Sequence, residues 1–245
     1  MPARDHFAQR LLAIVLALPL LAALAQPAAA DADKAKDASA RDSSLSLGLD
    51  AYSDDVSQSL EQVNTGGGGR GDAEGSSEDL FAGHLALRTL FAPKIRVGGL
   101  LRYYGDYRYT IDNDRDPRSL GQLLELTGQG EYVLGITDDL DAHIGAELGL
   151  ALLFPGGDLK SRLDALDAMD FSTLPGPRLG YVIGPQAGVQ YRFLPWLALR
   201  GELGLLWQQL FLIDSSAERG GLEGSFSWRL DLIRLRLGAA LVLLF

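Results

Sequence analysis

The stretch Ser225 to Phe245 alternates apolar and polar positions and finishes on an aromatic side chain. In its second half Ile233, Leu235, Leu237, Ala239, Leu241, Leu243 and Phe245 fall on one parity, with Arg234, Arg236 and Gly238 on the other. A period of two means an extended strand with one greasy face. Strands in globular proteins run to about 5–6 residues, so this one is unusually long. Length and alternation together point to a strand that crosses a bilayer as part of a closed β-barrel.

The other end of the chain fits that reading. Arg4 and Arg10 precede an apolar run from Leu11 to Ala25, and Ala28-Ala29-Ala30 offers a small-residue cleavage site. Residues 1–30 therefore read as a secretory signal. The apolar run is shorter than the roughly 20 residues a spanning helix needs. Residues 31–43, rich in Ala, Asp and Lys, read as a disordered periplasmic leader, and 44–245 as one barrel domain. The full chain has 22 basic and 32 acidic residues and no Cys. Loss of Arg4, Arg10 and Asp5 with the signal leaves 20 and 31, a net −11. That charge argues against nucleic-acid binding, and the missing thiol excludes disulfides and Cys-ligated metals.

Eight alternating segments are legible, the first around Leu45, Leu47, Leu49 and Ala51, the last being the C-terminal stretch. Four long connections (53–80, 112–120, 155–178 and 214–222) alternate with three short turns at Pro93, Asp138-Asp139 and Pro195. Strict alternation of long and short connections is the pattern of an eight-stranded antiparallel up-and-down transmembrane barrel, with both termini on the short-turn side. The apolar parity changes between Leu232 and Ile233, because Phe226, Trp228, Leu230 and Leu232 are even-numbered. A β-bulge at that point is the expected cause. Within the 155–178 connection, Leu159, Leu163, Leu166 and Met169 recur at helical spacing and predict a short helix that could lid the barrel or rest on the membrane.

With its signal, long strands and C-terminal Phe245, the chain resembles the small bacterial outer-membrane barrels of the OmpA/OmpW-like group. The resemblance implies an outer-membrane location with both termini periplasmic, and contact with membrane lipid and lipopolysaccharide. It further implies Phe245 as the terminal signal for the barrel-assembly machinery, and a monomer without a cofactor.

An eight-stranded barrel has an interior just wide enough to be filled by side chains. The polar parity places Asp50, Arg88, Arg96, Arg102, Asp106, Arg108, Glu125, Glu131, Glu147, Arg192, Arg200, Glu202, Arg229, Asp231, Arg234 and Arg236 inside. Unpaired buried charges are costly, so these are expected to form a lumen charge network. Two readings follow: a structural or interaction barrel with an occluded lumen, or a narrow OmpW-like channel for small, possibly hydrophobic, solutes. Aromatic residues sort into two belts, Tyr103, Tyr107, Tyr109, Phe154, Tyr181, Trp207, Phe211, Phe226 and Trp228 near the long connections, and Phe91, Tyr132, Tyr191, Phe193, Trp196 and Phe245 near the short turns.

Catalytic and metal signals are weak. After the signal only His84 and His143 remain. His84 has Ser76, Ser77, Glu78 and Asp79 nearby in sequence, but no spacing marks a nucleophilic triad, and the expectation is a non-enzyme. Asp112, Asp114 and Asp116 begin like a calcium loop, yet Pro117 and Leu123 stand where that loop needs Gly and Glu. Arg70-Gly71-Asp72 is an adhesion-type tripeptide in a Gly-rich stretch, and chance is the better explanation for it.

Overall fold

The computed structural model describes residues 43–245, apart from 65–66, 78–80, 113, 115, 170, 172, 174–175 and 220–221. The predicted signal, and the leader except for Ser43, lie outside the described residues. Strands run Ser43–Asn64 (β1), Gly67–Ser77 (β2), Phe81–Ala92 (β3), Ile95–Ile111 (β4), Arg118–Gly135 (β5), Leu140–Pro155 (β6), Arg178–Leu194 (β7), Leu197–Arg219 (β8) and Leu222–Leu244 (β9). One helix, Gly157–Ala168 (α1), stands between β6 and β7.

Every neighbouring pair is antiparallel, and β1 pairs with β9 to close the ring. Nine strands fill eight positions. β2 and β3 both lie between β1 and β4, β2 against residues 55–64 of β1 and β3 against residues 43–51. The start of β1 and the last residue meet at the short-turn rim, where Ser43 and Phe245 exchange backbone hydrogen bonds. Outside, Leu47, Leu49, Leu87, Leu126, Leu148, Leu150, Leu199 and Leu241 are exposed, while Asp50, Arg88, Glu125, Glu147 and Arg200 on the opposite parity are buried, the inverse of a water-soluble barrel.

Two of the four expected loops are not loops. Residues 53–64 and 67–77 form a ladder running out to Asn64 opposite Gly67, and β8 pairs with β9 as far as Arg219 opposite Leu222. Both are hairpins that continue the wall. Strands β1, β8 and β9 hold 22 or 23 residues, about twice what a bilayer crossing requires. Polar composition misled the sequence reading: a hairpin arm standing in water has no need of an apolar face, and its ladder hydrogen bonds suffice.

The expected bulge in the last strand is absent. Strand β9 pairs with β1 without interruption from Ser44 opposite Leu244 to Asn64 opposite Gly224. Even-numbered residues face inward throughout, including the fully buried Trp228, Leu230 and Leu232. What changes at Leu232 is the content of the interior, from charged to apolar. Bulges lie elsewhere, in β8 between Phe211 and Ile213 and in β4 between Tyr103 and Asp106. The β4 bulge carries Gly105 at φ +72°, a left-handed conformation that a residue with a Cβ adopts only with strain.

Candidate functional site

Two layers fill the barrel. The layer nearer the short turns is polar and fully desolvated. Arg102 on β4 reaches Asp50 at 2.8 Å and Glu125 at 2.5 Å, and donates to both oxygens of Glu147 at 3.3 and 3.4 Å. Arg88 bonds Glu202 at 3.0 Å, Glu131 at 3.2 Å, Gln129 at 3.1 Å and Ser46 at 2.8 Å. Arg200 holds the same two glutamates by short charge-assisted bonds. Arg236 donates to Gln186 at 2.9 Å and lies 3.6–3.8 Å from Glu147, Glu202 and Asp50. Arginine suits this setting because five donors in one plane can satisfy three carboxylates arriving from different strands. Missing side chains make the room: a Cβ on Gly238 would stand 2.4 Å from Asp50, and one on Gly204 3.1 Å from Arg236.

Arg234 is the junction between the layers. It bonds Asp54 with two nitrogens at 2.7 and 2.9 Å, Glu125 at 2.8 Å, and the Tyr104 hydroxyl. Its guanidinium also lies 4.8 Å from the Tyr52 ring centre and 4.4 Å from that of Tyr104, which pack edge-to-face. Beyond it the interior turns apolar. Val56, Tyr107, Tyr109, Leu120, Leu123, Leu153, Leu210, Leu212, Trp228, Leu230 and Leu232 form one buried cluster. The Tyr107 and Tyr109 hydroxyls donate hydrogen bonds to Asp54 and Gln58 at 2.9 and 2.7 Å.

Helix α1 closes this end. Leu159 is buried in the cluster and Leu163 and Leu166 pack on it, with Arg162 5.0 Å over the Trp228 ring. Asp158 fastens the first turn to β5 by accepting the Ser119 amide hydrogen at 2.8 Å. The periodicity expected over Leu159–Met169 is thus a helix at Gly157–Ala168, although Met169 itself is exposed. Between α1 and the ends of β6 and β7, Phe154, Pro155, Leu163 and Arg178 line a cleft of about 580 Å³.

Four of the expected lumen residues lie elsewhere. The Gly105 bulge turns β4 over, so Asp106 and Arg108 point outward and pair with each other at 2.8 Å while Tyr107 and Tyr109 point in. With no bulge in β9, Arg229 and Asp231 also face out, Arg229 against the Phe211 ring and Asp231 against Gln209 at 2.6 Å. The same two reversals remove Tyr107, Tyr109 and Trp228 from the outer aromatic belt, and Phe226 is partly buried against the interior cluster. Arg96 lies at the short-turn rim, 3.5 Å from Asp141, and Arg192 is half-buried near by. Asp54 and Tyr104 belong to the network but escaped the sequence reading, while Gln186 joins it from the polar parity of β7. Asp54 shares the parity of Asp50 and was set aside with the polar stretch after residue 52.

The other motifs resolve simply. His84 is buried in the lumen with Nδ1 3.1 Å from Asp50. Arg70 and Asp72 are exposed and pair with each other at 3.2 Å. Asp114 pairs with Arg118 at 3.1 Å.

The sequence matches no protein-family model and no curated protein. Among solved structures, outer membrane protein AlkL aligns over 90% of this chain and 96% of its own, at 16% identity and a TM-score of 0.49. OprG from Pseudomonas aeruginosa aligns over 82% and 98%, at 13% identity and a TM-score of 0.44. Neisserial surface protein A aligns over 79% and 96%, at 14% identity and 0.41. The architecture described above is read from this chain's own strand pairing.

Proposed function

We propose that the protein is an integral outer-membrane barrel with a structural or interaction role and an occluded lumen. The observation that carries this is Arg102, which bonds carboxylates from β1, β5 and β6 at once and so bars the barrel's width with side chains. The apolar cluster and α1 block the same axis a second time. In this reading the long hairpins β1–β2 and β8–β9 face the cell exterior, where they meet lipopolysaccharide or other surface partners. The short turns and both termini face the periplasm, and the exposed Phe245 serves assembly. The barrel acts as a monomer without catalysis.

Single-channel recording in planar bilayers tests this. The wild-type protein is expected to give no sustained conductance steps, and steady ohmic openings would overturn the occluded reading. One observation favours a channel for small apolar solutes instead: the interior beyond Arg234 is filled by apolar and aromatic side chains, and Leu163, which packs on them, also lines the cleft beside α1. Uptake of a small hydrocarbon into liposomes would support that second reading even where ions do not pass.

A further inference from the structure

Glu131, His143 and Glu202 offer donor atoms that all lie within 4.8 Å of one another, on three different strands and fully inside the barrel. Register explains the meeting. His143 on β6 stands opposite Gly188 on β7, which stands opposite Glu202 on β8. Because Gly188 has no side chain, the imidazole and the carboxylate approach across it, and a Cβ there would sit 2.7 Å from His143 Nε2. Glu131 on β5 comes in beside them opposite Gly145, another position without a side chain.

The hydrogen bonding of this trio is lopsided. Glu131 Oε1 accepts from Arg88, Gln186 and Arg200, and Glu202 Oε1 from Arg88 and Arg200. The second oxygen of each glutamate has no hydrogen bond, and neither ring nitrogen of His143 has one. Four buried polar atoms left unbonded in one spot are costly. An imidazolium alone does not relieve them, since His143 Nε2 is 3.9 Å from the nearest Glu202 oxygen. Arg88 and Arg200 fix both carboxylates through their Oε1 atoms, as outer partners do for metal ligands, and Glu202 Oε2 lies 3.7 Å from Arg236.

We propose that Glu131, His143 and Glu202 bind one divalent transition-metal ion inside the lumen. Two carboxylates and an imidazole without thiolate suit zinc, manganese, iron(II) or cobalt(II), and the nitrogen donor argues against calcium and magnesium. Zinc with ligands at about 2.0–2.2 Å sets neighbouring donors roughly 3.4 Å apart, so these side chains close in by about an ångström on binding. The surrounding network offsets part of the ion's charge. The interlocking network holds five arginines (88, 102, 200, 234, 236) and six carboxylates (50, 54, 125, 131, 147, 202), one negative charge in excess with the histidines neutral.

The test uses untagged protein extracted from membranes in detergent, stripped with a chelator and titrated with cobalt(II) and then zinc. One ion per chain is expected, with cobalt giving visible ligand-field bands that zinc displaces. His143→Ala should weaken uptake by at least about tenfold, whereas His84→Ala, which changes the other lumen histidine, should leave it in place. Heat-modified gel mobility verifies that each variant is folded. Should His143→Ala not fold, X-ray absorption of the zinc-loaded wild type decides, with one imidazole among oxygen ligands expected. Absence of stoichiometric uptake, uptake that survives in folded His143→Ala, or a zinc shell without imidazole would overturn the site.

Discussion

Asp54 and Arg234 stand 180 positions apart in sequence and form a two-pronged pair across the strands that close the barrel, with Nε 2.7 Å from Oδ1 and Nη2 2.9 Å from Oδ2. They are direct cross-strand partners at the β1–β9 seam, so the pair fixes where the last strand meets the first. Breaking a buried pair strands a charge, at a cost of about 3–5 kcal/mol. Arg234→Met should lower stability by about that amount in urea unfolding from lipid vesicles. The double variant with Asp54→Leu should recover part of the loss, because Asp54 is then no longer left charged. A double variant as unstable as the sum of the two singles would show that the pair does not couple the seam.

Outward positions should respond to charge according to whether lipid or water surrounds them. Leu203 on β8 points outward between the inward Glu202 and Gly204. Leu203→Arg should cost roughly 2–4 kcal/mol if it lies at mid-bilayer. Arg108→Leu and Arg229→Leu should change stability by no more than about 0.5 kcal/mol, as expected for exposed positions. A large loss at Arg108 or Arg229 would place those side chains back in the lumen.

Gly105 offers a backbone test. A Cβ there meets nothing within 4 Å, so crowding plays no part and only the positive φ matters. Gly105→Ala should destabilise by about 1–2 kcal/mol. Gly99→Ala, on the outer face of the same strand, should be close to neutral. Equal effects would argue against the bulge that turns β4 over.

Leu159 anchors α1. Truncating a buried leucine to alanine costs about 2–5 kcal/mol, here drawn from helix docking alone. Leu159→Ala should therefore keep its heat-modified gel mobility yet be cut faster by trypsin at Lys160 and Arg162, which are exposed on the helix. Unchanged cleavage would mean that the helix is held by something other than Leu159.

Orientation can be read with a single thiol, since the chain has no Cys of its own. Gly69→Cys, on the exposed arm of β2, should react with a membrane-impermeant maleimide on intact cells, and Asp139→Cys should not. The reverse pattern would invert the proposed topology.

The alternation of Leu and Arg along Ile233 to Phe245 was enough to place β9 in a lipid-facing barrel, and the long-short rhythm of connections gave eight positions around the ring. These features are local: a strand's own period states which residues share a face. Arg88, Arg102, Glu125, Glu131, Glu147, Arg200, Glu202, Arg234 and Arg236 were legible as inward residues for that reason, each sitting on the polar parity of an apolar strand. Asp106 and Arg108 were not, because a single left-handed glycine resets the parity, although Gly105 itself was the visible clue. Trp228, Leu230 and Leu232 misled in another way, since lipid and an apolar interior suit an apolar residue equally, and sequence carries no label for which. Only the closed ring decides that. It brings Tyr52, Tyr104, Tyr107 and Leu159 to one end of the lumen and Arg88, Arg102, Arg200 and Arg236 to the other, with Arg234 between them. Partner choice across it, Arg234 with Asp54 or His143 with Glu202, depends on registers between strands that no single strand encodes.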